Sequence, residues 1–181
     1  MKNFVPTLLK TMITLVAMSF VFVACVDGNE KFVDNRDGKT YATTKIGKQV
    51  WMAQNLDYTM DDSYCYDGNC AKYGRLYTWN AAMKACPTGW HLPMDKEWDE
   101  LAEALGEEAG TKLKSKEWDG TDAVGFHVIP IAEVQLGSFA YFWTATKYYP
   151  TNVYLRVFDD SGWHLGYGSV NDAYSVRCVK D

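Results

Sequence analysis

The chain of 181 residues lacks the clusters of lysine and arginine that nucleic-acid contacts require. Its 18 basic residues are outnumbered by 23 acidic ones, which gives a formal net charge of −5 at pH 7. Because phosphate groups are bound by grouped basic side chains, nucleic acid is a poor candidate for a partner. The sequence also has no low-complexity run and no internal repeat. With 48% hydrophobic and 23% charged residues, it predicts one ordinary globular domain.

The N-terminal apolar segment is shorter than the about 20 residues that a membrane-spanning helix needs. Residues 11–24, TMITLVAMSFVFVA, carry no charge and follow a start that contains Lys2 and Lys10. A basic start, a short apolar core and a small final residue are typical of a secretory signal peptide, which we predict for residues 1–24. The alternative is a membrane-spanning helix that begins at Leu8 and tolerates Lys10.

The signal segment runs into FVAC, which resembles the lipobox of bacterial lipoproteins. In that motif the cysteine is acylated and becomes the new N terminus, so the resemblance implies that Cys25 is the lipid attachment site. Phe22 stands where the motif usually has leucine. Residues 25–38 are then predicted to be a polar tether, and residues 39–181 to be the folded domain. We therefore expect an exported protein that its lipid anchors to the cell envelope, at the outer membrane.

The four remaining cysteines would sit in a compartment where disulfides persist. Four cysteines allow three connectivities. In CYDGNC the central Asp-Gly is a turn former that brings the chain back on itself, so we pair Cys65 with Cys70 and Cys86 with Cys178. The second bridge would close a loop of about 90 residues and tie the middle of the domain to its last strand.

The sequence has no compact metal-binding pattern. The spacings of cysteine and histidine include no pair of the C-x2-C type, which disfavours zinc. Neighbouring carboxylates, such as Asp61 with Asp62 or Asp159 with Asp160, have the oxygen chemistry that calcium prefers, although such pairs are more often solvated turns. We therefore expect no cofactor, with calcium as the alternative.

The N-terminal part of the domain predicts a hairpin. In KTYATTKIGKQVWMAQNL, β-forming residues lie on both sides of Gly47 and Lys48. Because successive side chains of a strand point to opposite faces, Val50 and Met52 are expected on one face and Trp51 on the other.

Two short amphipathic helices are predicted to follow the hairpin. Leu76, Trp79 and Met83 recur at helical spacing in RLYTWNAAMKAC, and PTGW supplies the turn that ends this helix. The second helix lies on DKEWDELAEALG, with Gly106 as its C-terminal cap. Its apolar residues have the spacing i, i+3, i+4 and i+7, and they are Trp98, Leu101, Ala102 and Leu105.

From Gly125 onward the sequence changes to aromatic and β-branched runs separated by Pro, Gly, Asp and Asn. We predict strands in the segments GFHVIPI, SFAYFWTATKYY, NVYLRVFDD, WHLGYGS and YSVRCVKD. Helices and strands that do not alternate favour an α+β fold, with an antiparallel strand-rich C-terminal half, over a parallel sheet.

Several motifs, in one order, resemble the Fibrobacter succinogenes major paralogous domain, and they run from about Asp34 to Asp181. These motifs are DGKTYATTKIGKQVWMAQNL, YGRLYTWNAAMKACPTGWHLPMDKEWDEL, GTKLKS, FWTAT and SVRCVKD. The family typically occurs on exported bacterial lipoproteins and has no established molecular activity, so the resemblance implies a location and a fold. The chain departs from the family at Met94, where a Ser or Thr usually caps the helix, and at PIAEV, where a Gly-rich turn is usual.

A broader resemblance is to the C-type lectin-like fold. There a helix ends in a cysteine, a second helix follows a GWHL-like step, and that cysteine pairs with one in the final strand. The resemblance implies that Cys86 and Cys178 form this bridge, that Trp90 and Trp98 pack in the core, and that His91 is a turn residue. The chain lacks the Glu-Pro-Asn or Gln-Pro-Asp motif of calcium-dependent sugar binding.

Cys86 and His91 have the residue types of a nucleophile and its base. A bridge to Cys178 would consume the thiol, so we do not expect an enzyme. Enzymes that convert a sulfatase cysteine to formylglycine share the lectin-like fold, and they form a weaker alternative because they rely on active-site cysteines that are all assigned to other roles in this chain.

Binding without calcium is left open by the aromatic content of 15%. The candidates near predicted turns, where a ring can stack on a sugar or anchor a protein, are Tyr148, Tyr149, Tyr154, Trp163 and Tyr167. The competing interpretation, which we favour for most of them, is that rings such as Tyr154 and Trp163 complete the core. The predicted function is a lipid-anchored envelope domain that binds a glycan or a protein. A structural envelope lipoprotein without a small ligand is the alternative.

Overall fold

The structure is a computed structural model that describes residues 30–134 and 137–181. The predicted signal peptide 1–24 and the predicted lipid site Cys25 lie outside the described residues. Within them, the strands are β1 Glu30–Val33, β2 Thr40–Ile46, β3 Gln49–Met52, β4 Ser63–Cys65, β5 Arg75–Thr78, β6 Trp90–His91, β7 Ala132–Val134, β8 Gly137–Tyr149, β9 Asn152–Asp159, β10 Gly162–Ser169, β11 Ala173–Ser175 and β12 Val179–Lys180. The α-helices are α1 Cys70–Tyr73, α2 Trp79–Ala85, α3 Asp95–Leu105 and α4 Ala109–Leu113. The predicted α+β class is confirmed.

The first sheet is antiparallel, with the strand order β1-β2-β3-β12-β6. Its centre is the predicted hairpin of β2 and β3, which turns at Gly47 and Lys48. Gly47 has a φ of +58°, which glycine adopts without steric cost, and a Cβ atom there would lie 2.8 Å from the Cβ of Ala104. Glycine at this turn therefore permits the close approach of α3.

The second sheet has the strand order β10-β9-β8-β11-β5-β4, and β7 pairs with the start of β8. The three long strands β8, β9 and β10 form an antiparallel meander. The C-terminal segment supplies β11 to this sheet and β12 to the first sheet. The end of the chain thereby joins the two sheets.

Two apolar clusters form the core, and the hairpin contributes to both. Met52 packs in the first cluster with Tyr77 and Trp143, whereas Trp51 packs in the second with Trp98. The ring centroids of Trp51 and Trp98 are 4.7 Å apart. The predicted alternation of faces along β3 is confirmed, because neighbouring residues of that strand are buried on opposite sides.

The helix α3 follows its prediction closely. It ends at Gly106, whose φ is +68°, and Trp98 and Leu101 are fully buried. Met94 has no oxygen with which to cap the helix, but its own N–H donates to the Glu97 carboxylate (2.8 Å). The N–H of Asp95 donates to the Thr146 hydroxyl (3.0 Å). These bonds satisfy amides at the start of the helix that would otherwise have no partner.

The first predicted helix begins later than the apolar spacing indicated. Leu76 lies in β5, and α2 starts at Trp79 because the Thr78 side chain accepts the N–H of Ala81. Met83 is exposed, and the helix packs through its alanines instead. The helical spacing of Leu76 and Trp79 is therefore misleading, because the two residues lie on opposite sides of the boundary between β5 and α2.

Two other segments differ from the predictions. GFHVIPI, residues 125–131, forms no strand beyond one bridge between Val128 and Lys114, although Phe126 and Val128 are fully buried. Residues 30–38, predicted as part of the tether, contain β1, which pairs with β2. Asp34 follows β1 and is buried, and its carboxylate accepts three hydrogen bonds from the Arg36 side chain and one from the Arg36 backbone N–H.

Candidate functional site

Four of the five aromatic residues predicted to contact a ligand lie together at one end of the second sheet. Tyr148 and Tyr149 end β8, Tyr154 lies in β9 and Tyr167 lies in β10. The ring centroid of Tyr148 is 4.4 Å from that of Tyr149, 5.0 Å from that of Tyr154 and 5.5 Å from that of Tyr167. We call these four side chains the tyrosine cluster.

The meander brings these tyrosines together. Tyr154 and Tyr167 are directly paired across β9 and β10, so their side chains share one face of the sheet. β8 reaches the same end because Tyr149 pairs with Asn152 across a short turn. The register of β8 shifts twice before Tyr149, and such irregularities redirect side chains. Adjacent tyrosines of β8 can therefore both join the cluster, which strict alternation would prevent.

The helix α3 covers part of this face and leaves the tyrosine cluster open. The ring centroid of Trp98 in α3 lies 6.2 Å from that of Trp163. Trp163 is the residue of β10 that pairs with Phe158 of β9. Arg156, two residues before Phe158 in β9, contacts Asp95 in the first turn of α3. Tyr154 comes next along the same face, beyond the start of the helix.

The exposed rings of the tyrosine cluster offer a surface for stacking. The relative exposure is 41% for Tyr148, 60% for Tyr149 and 67% for Tyr167, whereas Tyr154 is partly buried. The planes of Tyr148 and Tyr167 are inclined by 29°. Each ring combines an apolar face with a hydroxyl at its tip, which suits a ligand that has both apolar faces and hydroxyl groups.

Trp163, the fifth aromatic candidate, lies apart from this cluster. Its ring centroid is 5.6 Å from that of Phe158, and the guanidinium of Arg156 lies 5.2 Å from its centroid. It packs against the second apolar cluster beside Trp98. Trp163 therefore completes the core, whereas Tyr154, for which the sequence favoured the same role, joins the exposed tyrosines.

Arg156 joins β9 to the start of α3 beside the site, a role that no sequence pattern indicates. Its Nη2 atom donates to the carboxylates of Asp95 (2.5 Å) and Asp99 (2.6 Å) and to the carbonyl of Asp95 (3.0 Å). Burial raises the pKa of Asp95, an effect that Arg156 opposes and the nearby Asp99 carboxylate reinforces. These contacts fix the start of α3 on β9, next to the tyrosine cluster.

The cysteines are paired as predicted. Cys65 is bonded to Cys70 and Cys86 to Cys178, with Cα separations of 4.9 and 5.9 Å. Cys86 therefore has no free thiol to act as a nucleophile.

His91 is held between two carboxylates. One nitrogen lies 2.6 Å from the Asp181 carboxylate and the other lies 2.9 Å from that of Glu97. Burial lowers the pKa of His91, but the hydrogen bonds to Asp181 and Glu97 outweigh burial and raise it. The imidazole is thus engaged at both nitrogens, and it joins β6 to the start of α3 and to the residue after β12.

Of the two carboxylate pairs considered for calcium, Asp159 and Asp160 have structural partners. Asp159 accepts hydrogen bonds from the N–H groups of Ser161 and Gly162, and Asp160 accepts one from the indole N–H of Trp118. Within residues 30–134 and 137–181, no group of three or more His, Cys, Asp or Glu side chains is arranged to hold a metal ion.

None of the helices in the described part of the chain combines the length and hydropathy needed to cross a membrane.

A family model described as the Fibrobacter succinogenes major domain matches residues 44–180. No curated protein and no solved structure gives a significant match to the chain.

Proposed function

This chain is a member of the Fibrobacter succinogenes major domain family, and we propose that it is a lipid-anchored binding domain of the bacterial envelope that holds a glycan against the tyrosine cluster. The observation that carries the proposal is the convergence of Tyr148, Tyr149, Tyr154 and Tyr167 from three strands into one exposed group. Exposed aromatic clusters on a soluble surface commonly mark binding sites.

We further propose that the fold is of the C-type lectin-like kind. α2 ends beside Cys86, α3 follows the Trp90–His91 step, and Cys86 is bridged to Cys178 next to the last strand. This order of elements supports the assignment. Fold resemblance alone does not determine a ligand, so the choice of a glycan rests on the tyrosine cluster.

A glycan is favoured over a protein ligand by the form of the surface. The rings are grouped at one end of a sheet, and a sugar ring can stack through its apolar face on an exposed ring such as that of Tyr149 or Tyr167. A protein interface of standard size buries about 800 Å² on each partner. The tyrosine cluster exposes only three rings, so its surface is better matched to a few sugar units than to a protein partner.

Replacing single tyrosines of the cluster should weaken glycan recognition without unfolding the protein. On a glycan array, we expect the full chain to bind a defined set of glycans, and Tyr167→Ala or Tyr149→Ala to weaken binding at least about tenfold, roughly 1.4 kcal/mol. Tyr64→Ala is the matched control, because Tyr64 is 50% exposed and lies in β4, outside the cluster.

The alternatives make different predictions for the same array. A structural envelope lipoprotein, or a domain that binds only protein, would bind no glycan. An enzyme of the formylglycine-generating type would need free cysteines, and the four described cysteines are all bridged. If the cluster variants bound glycans as tightly as Tyr64→Ala does, the tyrosine cluster would not be the glycan-binding site.

The anchor is tested separately by intact-mass and peptide mass spectrometry of the protein purified from bacterial membranes. We expect an acylated Cys25 as the first residue, because FVAC has the form of a lipobox. A retained N terminus with unmodified Cys25 would contradict lipid anchoring. That outcome would leave the proposal for the tyrosine cluster to be decided by the array.

A further inference from the structure

A cleft of about 680 Å³ opens on the domain at a place that shares no residue with the tyrosine cluster. Its walls come from the start of β2, the segment that follows β3, the helix α1 and residues 127–130. The volume falls within the range of roughly 300 to 1,000 Å³ that is typical of small-molecule sites. Polar side chains and apolar groups line it together, as they do in many such sites.

Arg177 lines the cleft and is a buried cation without an anionic partner. Its side chain donates to the amide oxygen of Asn55 (2.6 Å) and to the backbone carbonyls of Met52 (3.4 Å), Phe126 (2.5 Å) and His127 (3.2 Å), and its guanidinium lies over the rings of Phe126 and Phe142. None of these acceptors carries a charge. Among residues 30–134 and 137–181, no carboxylate forms an ion pair with Arg177, which is 1% exposed.

An uncompensated buried charge is costly, and proteins usually pair it. Burial lowers the pKa of Arg177, and the distant Asp122 carboxylate only partly opposes that effect. The guanidinium nevertheless stays protonated at neutral pH, because the pKa of this group starts so high. In the low dielectric of the cleft floor, its positive charge acts strongly on a ligand placed above it.

The remaining lining also favours an anion that carries hydrogen-bonding groups. Three basic side chains, those of Lys39, Lys72 and Arg177, face two acidic ones, Asp57 and Glu117, in a protein whose net charge is −5. Lys39 already neutralises Asp57 at 2.7 Å. The cleft lining therefore has more basic than acidic side chains, whereas the chain as a whole has more acidic than basic ones.

Ser115 gives a second, independent indication of a ligand. It lines the cleft, is fully buried, and its hydroxyl makes no hydrogen bond of ordinary geometry with the described residues. The hydroxyl lies near the Glu117 carboxylate, whose pKa is lowered first by its own backbone N–H and then by Ser115. Buried hydroxyls are normally satisfied, so an unsatisfied one beside a cleft suggests that a ligand supplies its partner.

We propose that this cleft is a second binding site, which takes a small organic carboxylate such as a sugar acid. The carboxylate lies over Arg177, and a hydroxyl or ring oxygen of the ligand meets Ser115. The site is independent of the proposed function of the tyrosine cluster, since the two share no residue.

The test compares sodium D-glucuronate with D-glucose, which differ by a carboxylate against a hydroxymethyl group on the same ring. Isothermal titration of the full chain in detergent, at matched ionic strength, should give a dissociation constant on the order of 1 mM for glucuronate and binding at least about tenfold weaker for glucose. Equal affinity for the two sugars, or no binding of glucuronate, would overturn the proposal.

Ser115→Ala separates ligand binding from folding. The substitution removes a hydroxyl that makes no hydrogen bond of ordinary geometry with the described residues, so the melting temperature should change little, while glucuronate binding falls at least about threefold. Tyr64→Ala is the control and should leave glucuronate binding unchanged, because Tyr64 is exposed and lies outside both the cleft and the tyrosine cluster. Unchanged glucuronate affinity in Ser115→Ala would contradict the placement of the ligand.

Discussion

Replacing both Cys86 and Cys178 by alanine will lower the free energy of unfolding by about 4 to 5 kcal/mol according to the chain-entropy model of disulfides. The bridge spans 92 positions of the sequence and joins the end of α2 to the residue before β12. Cys178 is fully buried in the first apolar cluster. Without the bridge, the unfolded chain gains the freedom of a long open loop, and the contact between the two sheets loses its covalent link.

The second disulfide provides the matched control. Cys65 and Cys70 are only five positions apart, so the same model assigns their bridge about 2 kcal/mol. Urea unfolding of the two double alanine variants, followed by circular dichroism, measures both losses. A loss from the local pair as large as that from Cys86 and Cys178 would contradict the role assigned to the long bridge.

Trp98→Ala is expected to destabilise the domain by about 3 to 5 kcal/mol, the range for truncating a large buried aromatic residue. Trp98 is fully buried, and its ring lies within 6.2 Å of the rings of Trp51, Phe126, Phe142 and Trp163. It joins α3 to the hairpin and to the meander at the same time. The substitution should therefore weaken both sheets and the helix between them.

Trp98→Phe makes the prediction more specific. The indole N–H of Trp98 is buried and has no hydrogen-bond partner among the described residues, so phenylalanine removes an unsatisfied donor while it keeps most of the ring. We expect a loss below about 2 kcal/mol for Trp98→Phe and within about 0.5 kcal/mol for Met83→Ala, an exposed helix control. Equal losses for the two Trp98 variants would show that ring packing is not the cause.

Several features of the fold could be predicted from local patterns. The alternation of Trp51 and Met52 follows from the two-residue period of a strand, and the end of α3 follows from the position of Gly106. The pairing of Cys65 with Cys70 follows from the turn between them. Each of these depends on residues close together in sequence.

Other features depend on contacts between distant segments, which one sequence does not reveal. Leu76 fits a helical spacing, yet it pairs in a strand because β4 and β11 lie on either side of it. The contact of Arg156 with Asp95 joins residues 61 positions apart. Phe126 is buried although it lies in no strand, because its ring packs against those of Trp51 and Trp98.

The candidate site was predicted in part. Proximity to turns indicated five aromatic candidates for an exposed site, and four of the five lie together. The sequence could not separate Trp163 from the tyrosines, because both lie in the same amphipathic strands. The structure separates them because α3 covers the end of the face that carries Trp163 and leaves open the end that carries the tyrosines.

Glycan binding by the tyrosine cluster is tested by isothermal titration of the full chain with the glycan that it binds best on the array. We expect saturable binding that Tyr148→Ala combined with Tyr167→Ala reduces by at least about a hundredfold, roughly 2.7 kcal/mol, while Tyr64→Ala retains it. Full affinity in the double variant, with its fold intact by circular dichroism, would contradict a binding function for the tyrosine cluster.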